Sequence, residues 1–287
     1  MRPKRERVMP KGRGISMGWG ALNSYGVLFL LFLYAPLALI FVYSFNSNSV
    51  NMVVWNGFTL DWYRTLFGMR PAGAAFDAAF TENPDRIFQA VKNSFTVALS
   101  ASAISTVIGT AAALATARYQ FFGKRIYQGL LLLPMIMPDI VLGIALLIFF
   151  VGAGFTLSLF TIIIGHCTFL ACYVYVIVTA RLASVDTTLE KASADLGAGP
   201  FMTFRRVTLP LIMPGVVGGF LLAFIISLDD VVITYFIAGV DTQTLPLFIL
   251  AMMRRGIRPQ INALAVLLIA FSFIVASAGL YLRSRKA

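Results

Sequence analysis

The sequence predicts an all-α, polytopic membrane protein with about six transmembrane helices. Its 287 residues are 59% hydrophobic and only 12% charged, with a mean hydropathy of +0.84, which is not the composition of a soluble domain. Apolar runs of roughly 20 residues, the length that crosses a bilayer, make up most of the chain. Basic residues are concentrated in alternate connecting segments, which is typical of a multi-pass protein.

The predicted spans are helices, because backbone N–H and C=O groups have no water to pair with inside a bilayer. They cover about residues 25–45, 93–117, 127–151, 158–180, 209–228 and 261–282. We therefore expect a basic tail, a membrane domain and a short second tail, at residues 1–24, 25–282 and 283–287. The longest inner loop falls at about residues 182–208.

Charge predicts the orientation of the spans. With a cytoplasmic N-terminus, the inner segments hold 16 of the 23 Lys and Arg residues, as the positive-inside rule requires. Both termini are then cytoplasmic. The net charge of +11 is spread over separate loops, so it predicts contact with anionic membrane lipid and no nucleic-acid partner.

The first span follows a basic tail and has no small-residue cleavage site at its end, so we interpret it as an uncleaved anchor. Residues 46–92 form an outer loop, in which the amphipathic stretch 58–67 predicts a short surface helix with Trp62 and Tyr63 at the membrane interface. The second span is rich in Ala, Ser, Thr and Gly. Because small residues let helices pack closely in lipid, we expect this span to be buried among the others.

The third span contains Pro134 and Pro138, which loosen the helix and free backbone carbonyl groups. Asp139 follows them, about twelve residues or roughly 18 Å from the inner end at helical rise. A carboxylate at that depth is costly and usually functional. Two interpretations stay open: Asp139 faces a cation on a transport pathway, or a neutral or capped Asp139 holds the interrupted helix.

The fourth span predicts no metal or catalytic chemistry. A lone histidine such as His166 more often packs or forms hydrogen bonds than binds a metal. Cys167 and Cys172 point in different directions on a helix, so neither a disulfide nor a metal site is expected. The sequence contains no phosphate-binding loop and no Ser/His/Asp set, so we expect no cofactor and no enzymatic activity in this chain.

The fifth span ends at Asp229 and Asp230, and the apolar run 231–240 follows at once. This run predicts either a re-entrant segment or a continuation of the helix. The sixth span leads into the basic C-terminal tail.

The polar stretch 190–210 has several fixed spacings. Thr187 and Glu190 are three residues apart, as in a capping box at a helix start. Gly197 can end that helix in a left-handed conformation, and Pro200 suits the first turn of a second helix. The surface is almost bare of side chains, so another protein's backbone can approach closely; the small residues are Ala192, Ser193, Ala194, Gly197, Ala198 and Gly199.

This stretch resembles the cytoplasmic coupling loop of ABC-importer permeases, whose pattern is Glu-Ala-Ala, three residues, Gly, nine residues and Ile-x-Leu-Pro. The residues that keep its spacing are Gly197, Val207, Leu209 and Pro210. The residues that stand at the Glu-Ala-Ala positions are Lys191, Ala192 and Ser193. Glu190 lies one residue earlier and is a candidate for the acidic role.

The resemblance implies a permease that forms half of a translocation pathway in a bacterial inner membrane. Its implied partners are ABC ATPase subunits, which hydrolyse ATP and dock on the coupling loop, a second permease subunit that is not identical, and an extracytoplasmic substrate-binding protein. The residues assigned to ATPase coupling are Glu190, Lys191, Ala192, Ser193, Gly197, Leu209 and Pro210.

Within that family the chain is most similar to spermidine and putrescine permeases, on segments 133–143, 227–233 and 244–265. Polyamines are flexible cations, so a pathway for them needs spaced carboxylates with aromatic faces between them. The candidate pathway residues are Asp139, Asp229, Asp230 and Tyr235.

Other functions stay open. An ABC permease for thiamine, iron or an oxyanion fits the same loop. An ATP-independent secondary transporter explains the spans and Asp139 but not the spacing of residues 190–210. A membrane-embedded enzyme lacks a cluster of catalytic groups, and a scaffold subunit is distinguished by the absence of substrate flux.

Overall fold

A computed structural model describes residues 19–48, 54–69, 84–254 and 260–270. These residues are helical apart from turns, loops and one isolated antiparallel bridge between Asn46 and Phe58, which confirms the all-α prediction. The chain divides into two compact units. One comprises Met1–Phe80 and Arg258–Ala287, and the other comprises Thr81–Ile257.

The first unit contains α1 (Trp19–Tyr43), α2 (Asp61–Leu66) and a further helix at Gln260–Ala270. Trp62 of α2 is completely buried, and its indole Nε1–H donates to the backbone C=O of Asn46 at 2.7 Å. The interface position predicted for Trp62 is therefore wrong. A carbonyl within reach of the indole N–H lets the whole ring be buried without an unpaired donor.

The second unit is a helical bundle built on α3 (Pro84–Arg118), α6 (Leu159–Ala183) and α9 (Leu209–Asp229). These three helices pack against one another along their length. About half of the apolar part of α3 is buried by its neighbours, so the prediction that the second span is buried among the others holds for one face of this helix. This helix begins at Pro84, so the final part of the predicted outer loop 46–92 is helical.

The predicted third span is two helices rather than one. They are α4 (Lys124–Ile136) and α5 (Asp139–Gly152), and they meet at an angle of 108°. Pro138 has no N–H to donate, and its ring favours an extended conformation at Met137, where φ is −71° and ψ is 140°. The helix therefore ends at the second proline, and Asp139 starts a new one.

Short helices connect and cover the bundle. The loop between α6 and α9 forms α7 (Thr188–Asp195) and α8 (Pro200–Thr203). After α9 come α10 (Val232–Ile237), which packs on α5 and α6, and α11 (Leu245–Arg254), which packs on α3. The apolar run after Asp230 is therefore a separate short helix folded onto the bundle, and not a continuation of α9.

Four described helical stretches are long and apolar enough to cross a membrane: α1, α3, α6 and the continuous stretch Pro200–Asp229 that ends with α9. The bent pair of α4 and α5 makes a fifth if it is counted as one span. The sixth predicted span, at residues 261–282, is described only as far as Ala270, and its remainder lies outside the described residues.

Candidate coupling and pathway sites

The loop between α6 and α9 folds as two short helices with a turn between them, as predicted. The start of α7 differs from the expected capping box. The backbone N–H of Thr188 donates to Asp186 Oδ1 at 2.9 Å, and this hydrogen bond lowers the pKa of the Asp186 carboxyl. Glu190 does not reach back to Thr187, because its carboxylate is engaged elsewhere.

Gly197 ends α7 in the left-handed conformation, with φ at +81°. The N–H of Gly197 donates to the C=O of Ala194 at 2.9 Å, and the N–H of Ala198 donates to the C=O of Ser193 at 3.1 Å. This pair of bonds is a Schellman motif, which satisfies carbonyl groups that the helix end would otherwise leave unpaired. The predicted helix stop is confirmed.

The carboxylate of Glu190 points into the bundle. Its Oε1 accepts a hydrogen bond from Arg118 Nη2 at 2.9 Å and another from the Thr208 hydroxyl at 2.8 Å. Arg118 is the last residue of α3, and Thr208 immediately precedes α9. Leu114, Tyr119 and Phe204 join these residues in lining a groove of about 490 Å³ between α3 and the loop.

A π-helical turn at Phe204–Thr208 joins α8 to α9, so that the helix runs without interruption from the loop into the span. Pro210 explains the wide turn. It has no N–H, and its ring would clash with the carbonyl one regular turn earlier. Pro210 is exposed and Leu209 is half-buried.

The exposed side of the loop combines two large apolar side chains with a helix of mostly small residues. Leu196 is 89% exposed and Phe201 is 74% exposed. Lys191 and Ala192 are also exposed on α7, whereas Ser193 is half-buried and lies 3.1 Å from the Thr203 hydroxyl. Large exposed apolar side chains beside a helix of small residues are typical of a protein–protein contact surface.

A buried polar cluster lies where α9 ends. His166 of α6 is completely buried, with Nδ1 2.8 Å from the Ser227 hydroxyl and Nε2 3.0 Å from the Thr234 hydroxyl. Its Nε2 also lies 3.3 Å from Asp230 Oδ2. Asp230 accepts bonds from the Thr234 N–H and hydroxyl at 2.8 and 2.7 Å. The prediction that His166 forms hydrogen bonds is confirmed.

These bonds, together with close packing, fix α10 to the bundle. Side chains of α10 fit against glycines, with Phe236 on Gly143 of α5 and Ile237 on Gly165 of α6. Tyr235 is the exposed residue of this short helix. The Arg254 guanidinium lies 5.1 Å from the centre of the Tyr235 ring, and its Nη1 donates to the Tyr235 hydroxyl at 3.3 Å. Both side chains line a cavity of about 180 Å³.

A family model described as the inner membrane component of binding-protein-dependent transport systems matches residues 105–287, which is more than half of the chain. The chain belongs to this family. The permease is 36% identical over 250 residues to the spermidine/putrescine transport system permease protein PotC of Haemophilus influenzae, an alignment that covers 87% of the permease and 91% of that protein. It is 36% identical over 261 residues to the putrescine transport system permease protein PotI of Escherichia coli (strain K12), with coverages of 88% and 87%.

The fold of the permease also matches a crystal structure of a bacterial ABC transporter involved in the import of the acidic polysaccharide alginate. The TM-score is 0.68 at 15% sequence identity, and the match covers 98% of the permease and 99% of that chain. At this identity the match is evidence for the fold alone. The family model and these relatives show that the permease is an inner-membrane component of a binding-protein-dependent transport system.

The four candidate pathway residues lie on α5, at the end of α9 and on α10, and they differ in exposure and in hydrogen-bond partners. Asp139 is exposed at the first turn of α5, and Asp229 is exposed at the end of α9. Asp230 is engaged by the buried cluster. The ring of Tyr235 already carries a guanidinium.

Several contacts at the candidate sites could not be predicted from the sequence. Arg118 is 72 positions from Glu190, Ser227 is 61 positions from His166, and Arg254 is 19 positions from Tyr235. No local pattern connects such pairs, since the two residues of each pair lie on different helices that only tertiary packing brings together. An arginine at the inner end of a span fits the positive-inside rule equally well without any partner.

Proposed function

We propose that the permease is one membrane subunit of an ATP-driven importer for putrescine or spermidine, and that it forms half of the translocation pathway. The observation that carries this proposal is the alignment with permease proteins of spermidine/putrescine and putrescine systems over 87% and 88% of the chain. An alignment of 250 residues in a chain of 287 must include the coupling loop, α9 and α10.

The coupling loop is the proposed docking site of the ATPase subunits. An ATPase needs a contact surface that it can hold and move, and the exposed Leu196 and Phe201 beside the small residues of α7 supply one. Lys191, Ala192, Ser193 and Gly197 belong to this surface. Leu209 and Pro210 lie where the loop becomes α9, so movement of the loop is passed directly into a span.

The other proposed partners follow from the same architecture. The α4 helix has no fully buried side chain within the described part of the chain, although most of its residues are apolar and only Leu131 and Leu132 pack against the core. An apolar face of that kind is suited to lipid or to a second permease subunit, and we propose a non-identical one. An extracytoplasmic binding protein would deliver the substrate at the end of α9 opposite the coupling loop.

The chemistry of the proposed pathway suits a flexible dication. Asp139 and Asp229 offer exposed carboxylates. Tyr235 offers an aromatic ring that already attracts the Arg254 guanidinium and would attract an ammonium group in the same way. Because α10 packs against α5, the helix that carries Tyr235 adjoins the helix that begins at Asp139. We assign Asp230 to holding α10 in place, so its effect on transport is indirect.

Uptake of radiolabelled putrescine and spermidine tests the proposal in cells with and without this gene and with the neighbouring genes intact. We expect deletion to abolish uptake of at least one polyamine, and the restored chain to recover it. Asp139→Asn and Asp229→Asn should each reduce uptake, whereas Asp61→Asn, which removes an acid paired with Arg64 in the first unit, serves as a control.

Unchanged uptake of both polyamines after deletion would reject the polyamine assignment, and the same cells would then be tested with thiamine, iron and oxyanions. Normal uptake in both aspartate variants would reject the proposed pathway residues. Polyamine uptake that continues when the ATPase subunits are removed would favour an ATP-independent transporter.

A further inference from the structure

Glu190 is one of the residues predicted to couple to the ATPase, yet its carboxylate faces away from the exposed side of α7. Only 18% of its side chain is exposed, and one oxygen accepts from both Arg118 and Thr208. A carboxylate held by a guanidinium and a hydroxyl at 2.9 and 2.8 Å forms charge-assisted hydrogen bonds, which are stronger than neutral ones. We refer to these two interactions as the Glu190 bridge.

The Glu190 bridge joins three elements that are distant in sequence. Glu190 is in the first turn of α7, Arg118 ends α3, and Thr208 directly precedes α9. Because α3 and α9 pack against each other as part of the central bundle, a force on α7 through this bridge acts on both helices together.

The remaining connections of α7 do not reach the bundle in this way. Its N-terminal end follows α6 through residues 184–187, and its Ser193 contacts Thr203 of α8. Among the residues that the structure describes, the Glu190 bridge is the only hydrogen bond or ion pair from an α7 side chain to α3 or to the residue that directly precedes α9. The Arg118 guanidinium relies on Glu190 for its hydrogen bonding, because its buried Nε has no hydrogen-bond partner within the described residues.

We infer that Glu190 and Arg118 are positioning residues, which together with Thr208 transmit movement of the coupling loop to α3 and α9 rather than contacting the ATPase. This inference rests on the proposed docking of an ATPase at the loop. The exposed residues of α7 and α8 would then bind the ATPase, and the carboxylate of Glu190 would transmit the movement of α7 to α3 and α9.

The test uses the complete transporter, with this chain, the second permease, the ATPase subunits and the binding protein, reconstituted in lipid vesicles. Cys167→Ala and Cys172→Ala first remove the native thiols, and Asp229→Cys places one at the exposed end of α9. The first readout is co-purification of the ATPase. The second is the change on ATP addition in the rate at which a membrane-impermeant thiol reagent labels that cysteine, which requires no transported substrate.

We expect Glu190→Ala and Arg118→Gln to retain ATPase co-purification and to reduce the ATP-induced change in labelling rate about fivefold or more, the lower range of coupling between sites. The double variant Glu190→Arg with Arg118→Glu should recover at least half of the change, because the Thr208 hydroxyl can donate to a carboxylate or accept from a guanidinium. Arg125→Gln is the matched control, because it removes an exposed charge at the start of α4.

Three results would overturn the inference: loss of ATPase co-purification in Glu190→Ala, which would make Glu190 a docking residue; an unchanged labelling response in both single variants; or no recovery in the double variant. Failure of the proposed function is a different result. In that case the unsubstituted chain would not co-purify with an ATPase, or ATP would not change its labelling.

Discussion

At the scale of single residues, Gly197 is the position where one backbone conformation decides the shape of the coupling loop. Its φ of +81° lies in the left-handed region, and open space surrounds the position of a Cβ atom. The requirement is therefore conformational and not steric. A residue with a Cβ atom costs about 1–2 kcal/mol in this region, and a β-branched residue costs more.

We expect Gly197→Val to lower substrate uptake several-fold while the amount of membrane-inserted protein stays the same, because the Schellman turn that aims α8 is lost. Gly197→Asn should retain more activity, since asparagine tolerates the left-handed region. Gly199→Ser is the matched control, because Gly199 has φ of −70° at a helix N-cap, where serine is favoured. Equal uptake in the valine and serine variants would contradict this account.

At the scale of helices, the crossing of α3 and α6 depends on a glycine contact. A Cβ atom at Gly109 would lie 2.7 Å from the Ala171 carbonyl oxygen and 2.9 Å from the Tyr175 nitrogen. Both atoms belong to the backbone of α6, so the strain cannot be relieved by moving a side chain. The helices would have to separate, and the hydrogen bonds from α6 to α9 and α10 through His166 would be disturbed with them.

We expect Gly109→Ala to lower the Tm of the detergent-purified permease by several degrees, which corresponds to an overpacking cost of about 1–3 kcal/mol. Gly129→Ala is the matched control on α4, where nothing lies within 4 Å of the added Cβ. That change should leave the Tm unchanged or raise it slightly, because alanine is the better helix former. A Tm that falls equally in both variants would show that the contact with α6 is not the cause.

At the scale of the whole molecule, orientation in the membrane still rests on charge. The predicted inner segments hold 16 of the 23 Lys and Arg residues, and the coupling loop with Lys191, Arg205 and Arg206 is among them. The proposed function requires this orientation, because an ATPase reaches the loop only from the cytoplasm.

Reporter fusions test the orientation. We expect a green fluorescent protein fused to the C-terminus to fluoresce, because that protein folds in the cytoplasm. Alkaline phosphatase inserted after Val240, an exposed residue between α10 and α11, should be active outside. The reciprocal fusions provide the controls. An active phosphatase at the C-terminus would reverse the topology and remove the loop from any cytoplasmic ATPase.

The features that depend on local physics could be predicted from the sequence alone. Apolar length predicted the helices that cross the membrane, Gly197 and Pro200 predicted the turn between α7 and α8, and Pro134 and Pro138 predicted an interrupted third span. In each case the cause lies within a few residues: a missing N–H, a missing Cβ atom, or a run of side chains that water solvates poorly.

The partners of the polar side chains depend on how the helices pack in three dimensions. Glu190 has capping-box spacing but pairs with Arg118, Asp230 binds His166 and Thr234, and Trp62 is buried instead of lying at the interface. A carboxylate pairs with the strongest donors that packing brings within about 3 Å. Those donors come from helices far away in the chain, so no local pattern in the sequence can predict them.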